Sequence, residues 1–211
     1  MINRRNQQVK DLKRELILEA AENLLKEVGL EKLTMDQVAE QSSYTKRTVY
    51  RYFKGKEDIL MEIFIRRSLE KWSYQKEEIL KSREGLPRLK ALGNSYFCFF
   101  KANPHFLKLS VFFDITGFDF SIERSDELKA LYQRFYEIDQ DASYIIMREI
   151  EYAKSQGEID TNYPDEHIKG YLYYTIRTIC NQLINPPPNR RHYDDETYFH
   201  HFLEILIKGF K

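Results

Sequence analysis

Between Thr34 and Lys56 the chain reads TMDQVAEQSSYTKRTVYRYFKGK, and this run narrows the possible folds more than any other stretch. Thr34 stands where it would cap a short helix, with Gln37 three residues on to complete a capping box, and Thr45 stands where it would cap a second. Val38, Ala39, Val49 and Phe53 are spaced to bury one side of each helix against a common core. The pattern therefore predicts two short helices separated by a tight connection. The outer side of the second is left with Lys46, Arg47, Thr48, Tyr50, Arg51 and Tyr52.

That outer side has a chemistry. Lys46, Arg47, Arg51, Lys54 and Lys56 follow one another with no acid before Glu57. Cations and hydroxyls at the first turn of a short helix suit phosphates and base edges, and a helix fits the major groove of duplex DNA. A helix, a turn and a second helix with a basic face is a helix-turn-helix arrangement, in which the second helix reads the groove. Charged helix faces also occur on solvated hairpins. The residue pattern alone leaves both readings open.

The run Thr45-Lys46-Arg47-Thr48-Val49-Tyr50-Arg51-Tyr52-Phe53, followed by Lys54-Gly55-Lys56-Glu57-Asp58-Ile59-Leu60, resembles the signature of TetR-type transcriptional regulators. The resemblance covers about the first sixty-five residues; the rest is similar only in length and helical layout. It implies an all-α chain of about nine helices. A three-helix DNA-binding domain over residues 1–55 would precede a larger helical effector-binding and dimerisation domain over 56–211. It implies Lys46, Arg47, Thr48 and Tyr50 at base edges and nearby phosphates, with Thr34, Thr45, Arg51, Tyr52 and Lys56 as backbone anchors. Two symmetric heads would read a palindromic operator, and repression is the expected sign. One position departs from the family pattern: Ser43 stands where a turn glycine is usual. A non-glycine residue at positive φ costs on the order of 1 kcal/mol, so the turn is expected to be strained or differently shaped.

The formal net charge is zero, so a polyanion partner has to be argued from distribution. Residues up to Glu57 carry about three more basic than acidic groups, and the remainder carries the compensating acids. The polar start has no signal-peptide pattern, and no apolar run approaches membrane length. A cytoplasmic protein is expected. Cys98 and Cys180 sit in apolar helix patterns without ligand spacing and read as buried thiols.

Along the chain, Arg4, Arg5, Lys10, Lys13 and Arg14 form a basic entry, either a frayed terminus or an arm that touches phosphate. Helix one carries Leu16, Ile17, Ala20, Ala21, Leu24, Leu25 and Val28 and ends at Gly29 as a left-handed cap. Gly55 is expected to stop the second reading helix. A fourth helix from Lys56 to about Lys81 would span close to 35 Å, and Asn103-Pro104 closes a fifth. A short helix through Phe106, Leu107 and Leu109 is expected next, then a loop-like segment with Phe112, Phe113, Phe118 and Phe120. A long helix should run from about Glu123 to Gln156. Two apolar helices follow, starting at Pro164 and near Asp194, with Pro186-Pro187-Pro188 forbidding helix between them.

The body holds more aromatic surface than a helical core of this size usually needs. Tyr96, Phe97, Phe100 and Phe112, with Phe113, Tyr132, Phe135 and Tyr136, are candidate walls for an unknown small-molecule effector, flat and apolar, aromatic or cationic. Plain core packing is the alternative. By the resemblance, the last two helices pair with their copies in a homodimer through Ile176, Ile179, Leu183, Phe199, Phe202 and Leu206. The other function class is a small helical enzyme using the aromatic cavity. Yet His105, His167, His192, His200 and His201 show no metal-ligand or triad spacing, and there is no phosphate-binding glycine loop. No catalytic residue, metal or cofactor is expected. A DNA-binding architectural protein without an effector is the third reading.

Overall fold

The computed structural model describes residues 2–118, 124–186 and 194–210, with side chains from residue 6 onward. The side chains of Arg4 and Arg5, together with Phe120, Glu123, Pro187, Pro188 and His192, lie outside the described residues. Among those residues there are nine α-helices: α1 (Ile2–Lys32), α2 (Met35–Gln41), α3 (Lys46–Tyr52), α4 (Lys56–Leu80), α5 (Leu86–Ala102), α6 (Pro104–Thr116), α7 (Asp126–Ser155), α8 (Asp165–Ile184) and α9 (Asp195–Lys208). They form two compact units, one of residues 1–67 and 108–133, the other of residues 68–107 and 134–211. Three helices, α4, α6 and α7, contribute turns to both.

In the first unit α1 buries Ile17, Leu18, Ala20, Ala21, Leu24 and Leu25 at three-to-four spacing. Leu16, expected inside, is exposed, because Leu18 takes the inward position of that turn. The helix breaks at Gly29, whose φ of 81° and ψ of 170° are extended rather than left-handed helical. Val38, Val49 and Phe53 close the core above it, as their spacing requires. Arg14 is not part of an exposed basic arm. It is buried and donates to Glu62 of α4 through Nε at 3.0 Å and through a second nitrogen, and its guanidinium stacks 4.5 Å from the Phe53 ring centroid. Lys10 pairs with Glu127 at 2.7 Å.

Phe112 and Phe113 do not lie in a loop, whereas Phe118 stands beyond the helix end as expected. Pro104 pre-sets the first turn of α6, no breaker intervenes before Gly117, and Phe112 and Phe113 continue the helix begun by Phe106. Phe113 lies 5.0 Å from Phe64 and 4.9 Å from Phe118, and Phe118 lies 5.2 Å from Tyr132. These rings are core of the first unit.

In the second unit the core is an aromatic stack. Phe97 of α5 lies on Phe199 of α9 with centroids 4.3 Å apart, and Phe100 lies on Phe106 at 5.2 Å. Gly93 of α5 is where α8 and α9 come close: a β-carbon there would meet Leu203 at 3.0 Å and Ile176 at 3.3 Å. Glu149 of α7 is buried and fixes the start of α5, accepting from the Gly85 backbone N–H at 2.9 Å and from Arg88 at 2.9 Å. Burial alone would raise its pKa, but the Gly85 N–H and the guanidinium groups of Arg148 and Arg88 hold it below the ordinary glutamate value. Cys180 is buried, and burial pushes its thiol pKa up. Cys98, expected buried, is exposed because it lies on the outer side of α5 with Lys101 and Ala102.

Candidate DNA-reading helix and effector cavity

Each end of α3 is fixed by local chemistry. Thr34 accepts from the Gln37 N–H at 3.3 Å while the Gln37 side chain accepts from the Thr34 N–H at 2.9 Å, which closes the capping box that starts α2. At the end of α2 the Ser43 N–H donates to Glu40 O at 3.1 Å and the Tyr44 N–H to Ala39 O at 3.0 Å. This is the Schellman pair, and Ser43 holds its left-handed position at φ 58°. The turn keeps the glycine shape with serine in it. Thr45 then caps α3, its hydroxyl accepting from the Thr48 N–H at 3.2 Å.

The far end of α3 differs from expectation: the helix stops at Tyr52, ahead of Gly55, because Phe53 turns extended and buries its ring. Arg14 donates to the Tyr52 carbonyl at 3.2 Å, satisfying an acceptor that the helix leaves open. Just beyond, Asp58 is buried, accepts from the Lys54 N–H at 2.9 Å and pairs with Arg124. Between these two anchorages Lys46, Arg47, Tyr50 and Arg51 are exposed, and Tyr50 is 50% accessible. Among the described residues Arg47 and Tyr50 make no ion pair or hydrogen bond. Lys46 pairs with Asp36 at 2.6 Å, both well exposed. Thr34 and Thr45 are exposed, Thr48 is partly covered, and the Lys56 ammonium donates to Glu31 O at 3.3 Å. Tyr52 is the inward member of the tyrosine pair, 8% exposed.

The second unit contains a cavity of about 330 Å³ between α4, α5, α7 and α8. Trp72, Leu89, Leu92, Ile138, Ile146 and Ile176 are among its apolar walls, with Tyr96 and Phe135. Those last two are the members of the predicted aromatic set that line it. Phe97 and Phe100 are in the ring stack, Phe112, Phe113 and Tyr132 are in the first unit, and Tyr136 is exposed. Sequence reasoning missed the polar wall: Ser68, Lys71 and Gln75 of α4, Asp139 and Ser143 of α7, and Lys169 of α8. The signal was present, since Ser68 and Gln75 flank Trp72 at helical spacing on an otherwise apolar stripe.

Residues 17–63 match the family model of the bacterial regulatory proteins, tetR family. That segment is similar to the tetR-family DNA-binding domain. The match spans the capped helices, the Ser43 turn and the start of α4. No curated protein matches. Solved structures share the fold of this chain over nearly its whole length. The fatty acid degradation regulator FadR of Bacillus halodurans is 16% identical, covering 94% of this chain and 96% of that one, with a TM-score of 0.66. FadR of Bacillus subtilis, in complex with stearoyl-CoA, is 20% identical, covering 93% and 99%, with a TM-score of 0.65. The ketosteroid transcriptional regulator of Mycobacterium tuberculosis is 13% identical, covering 93% of each chain, with a TM-score of 0.64. At these identities the likeness is one of fold: a helix-turn-helix domain followed by a helical domain.

On the last two helices, four of the six predicted contact residues turn inward. Ile176, Leu183, Phe199 and Leu206 are buried within their own chain, with Phe199 in the ring stack. Ile179 and Phe202 are half-buried. The exposed apolar residues of these helices are Tyr171, Tyr173, Tyr174, Tyr198 and Ile205, the last 71% accessible, and a groove between α8 and α9 is bordered by Tyr171, Phe202 and Ile205. Among the described residues no helix is long and apolar enough to cross a membrane, and no cluster of His, Cys, Asp or Glu has metal-site geometry.

Proposed function

We propose that this chain is a homodimeric tetR-family repressor whose two α3 helices occupy a palindromic operator, and that a small molecule in the α4–α8 cavity releases it. Residues 1–55 read DNA; residues 56–211 hold the effector and pair the protomers. Lys46, Arg47, Thr48 and Tyr50 meet base edges and nearby phosphates, while Thr34, Thr45, Arg51 and Lys56 anchor the backbone and Tyr52, turned inward, packs the core beneath them. The observation that carries this reading is the exposed, cationic ridge of a short helix whose both ends are tied down by its own fold. A ridge held this way enters a groove without ordering cost at the moment of binding.

The cavity supports the effector half of the proposal: it is bounded by four helices, mostly apolar, and within the usual size range for small-molecule sites. The Bacillus subtilis neighbour holds stearoyl-CoA, which supports a ligand-holding body in this fold. The ligand releases DNA only to the extent that it prefers the released arrangement. The protomers pair through the exposed side of α8 and α9, where Ile179, Phe202, Tyr198 and Ile205 lie.

Selection of bound sites from random duplex by the purified full chain tests the DNA half. A palindrome is expected, its half-sites centred about 34–36 Å apart or a multiple of that. Arg47→Ala is expected to relax preference at one base position, by about 1–3 kcal/mol, whereas Lys56→Ala weakens all duplexes alike and lowers the salt slope by about 1. Binding to random duplex at low salt with no sequence enriched would overturn the reading.

A further inference from the structure

The cavity's polar wall lies along one helix. Ser68, Lys71 and Gln75 are one turn apart on α4, so their side chains form a single stripe. Two of the three are deeply buried, Ser68 at 7% and Gln75 at 3% exposure. Among the described residues the Ser68 hydroxyl has no hydrogen-bond partner, and the Gln75 amide nitrogen gives one of its two hydrogens to Leu92 O at 3.4 Å. Both groups line the cavity with hydrogen-bonding capacity left to give.

What suits them is set by their type. Hydroxyl, ammonium and amide N–H can all donate, and an ionised carboxylate, whose two oxygens only accept, can receive all three. Lys71 supplies the charge, its ammonium lying 5.4 Å from the Tyr96 centroid and 5.7 Å from that of Phe100. Its position also disfavours a cationic guest, since those ring faces already carry a cation. Lys169, on the facing helix, pairs with Glu166 at 2.5 Å and donates to Ser143 at 3.0 Å. Asp139, the one carboxylate in the lining, is solvent-exposed, where its charge is screened.

We infer that the cavity takes an amphipathic monocarboxylate, its head received by Ser68, Lys71 and Gln75 and its tail lying against Trp72, Leu89 and Phe135. The cavity's 330 Å³ lies at the lower end of the range for small-molecule sites, which favours a short-chain guest. This rests on the reading of the cavity as the effector site.

The test is calorimetric titration of the full chain with decanoate, decan-1-ol and decyltrimethylammonium, each below its micelle concentration, followed by operator binding with the same three. Decanoate is expected to bind at least about tenfold more tightly than the alcohol, and the ammonium more weakly than either. Lys71→Met and, separately, Ser68→Ala should each lower decanoate affinity by a larger factor than decanol affinity, with thermal unfolding reporting that each variant is folded. Equal affinity for acid and alcohol, tighter binding of the ammonium, an unchanged preference in Lys71→Met, or no binding of any probe would overturn the inference. A decanoate preference without any change in operator affinity supports this ligand class and removes the effector reading. Operator release by decanol as readily as by decanoate does the reverse.

Discussion

Ser43 is the one non-glycine residue at positive φ among the described residues, and it sits in the turn that aims α3. Left-handed backbone costs an ordinary residue about 1–2 kcal/mol, part of which glycine returns through the entropy of its unfolded chain, about 0.4–1 kcal/mol. Ser43→Gly is therefore expected to stabilise the protein by about 0.5–1 kcal/mol, read as a higher urea midpoint at unchanged m-value. The caps Thr34 and Thr45 were legible in the sequence because a cap is a contact across three residues. Ser43 was legible as an anomaly and not as a geometry: two backbone bonds to Glu40 and Ala39 override its preference, and such a balance cannot be read from one side chain. The spacing puts Tyr52 on the outer side of α3 beside Tyr50, whereas its ring is buried. That burial follows from where Phe53 leaves the helix, one residue after Tyr52.

Among elements, the most consequential contacts join α1 to α4 and α7 to α5 through buried charge. Glu62 receives Arg14 and, at 2.7 Å, Arg66, which also binds Glu15 at 2.6 Å. Removing one partner of a buried pair leaves the other unanswered, at a cost of about 3–5 kcal/mol. Glu62→Gln is expected to lose close to the lower end of that range in urea unfolding at neutral pH, because Arg66 keeps Glu15. Acid has a calculable direction. The hydrogen bond from Lys10 takes Glu127 from 4.5 to about 2, and Glu149 is lowered as well. A carboxylate whose folded pKa is depressed contributes stability that is complete above its unfolded value and is lost as pH falls through the folded one. Stability should decline between about pH 4.5 and 2, and Lys10→Met should flatten that decline, measured as urea midpoint against pH. Glu127 is about half exposed, so solvent screening keeps its share small. Apart from Glu62–Arg66, one turn apart on α4, these ion pairs were invisible in the sequence, since their partners lie tens of residues apart. The boundaries of α4, α5, α8 and α9 were legible from their caps and breakers. The reach of α6 was not, because a run of aromatic residues between Leu109 and Gly117 carries no period that separates helix from loop.

For the whole molecule, helical class and order were legible because the heptad-like spacing recurs along the chain, while the allotment of aromatic residues was not. Tyr96 and Phe135 line the cavity and Phe97 and Phe100 do not, a distinction made by which neighbouring helix faces each ring. The same holds for α8 and α9, whose broad apolar faces spend Ile176, Leu183, Phe199 and Leu206 on their own chain. If the exposed remainder pairs two copies, Ile205→Glu is expected to give a monomer by sedimentation and to weaken operator binding far more than it changes thermal unfolding of the isolated chain. A dimer that survives Ile205→Glu unchanged would move the pairing surface away from this residue.

Gly93 borders the cavity and also lets Leu203 and Ile176 approach α5 to within a methyl's breadth. A bulkier residue there would not merely trim the guest; it would wedge neighbouring rods apart. Selectivity for a shorter molecule therefore has to be acquired at Leu89, Ile138 or Ile146, and lineages that retune the chamber should leave this one position bare.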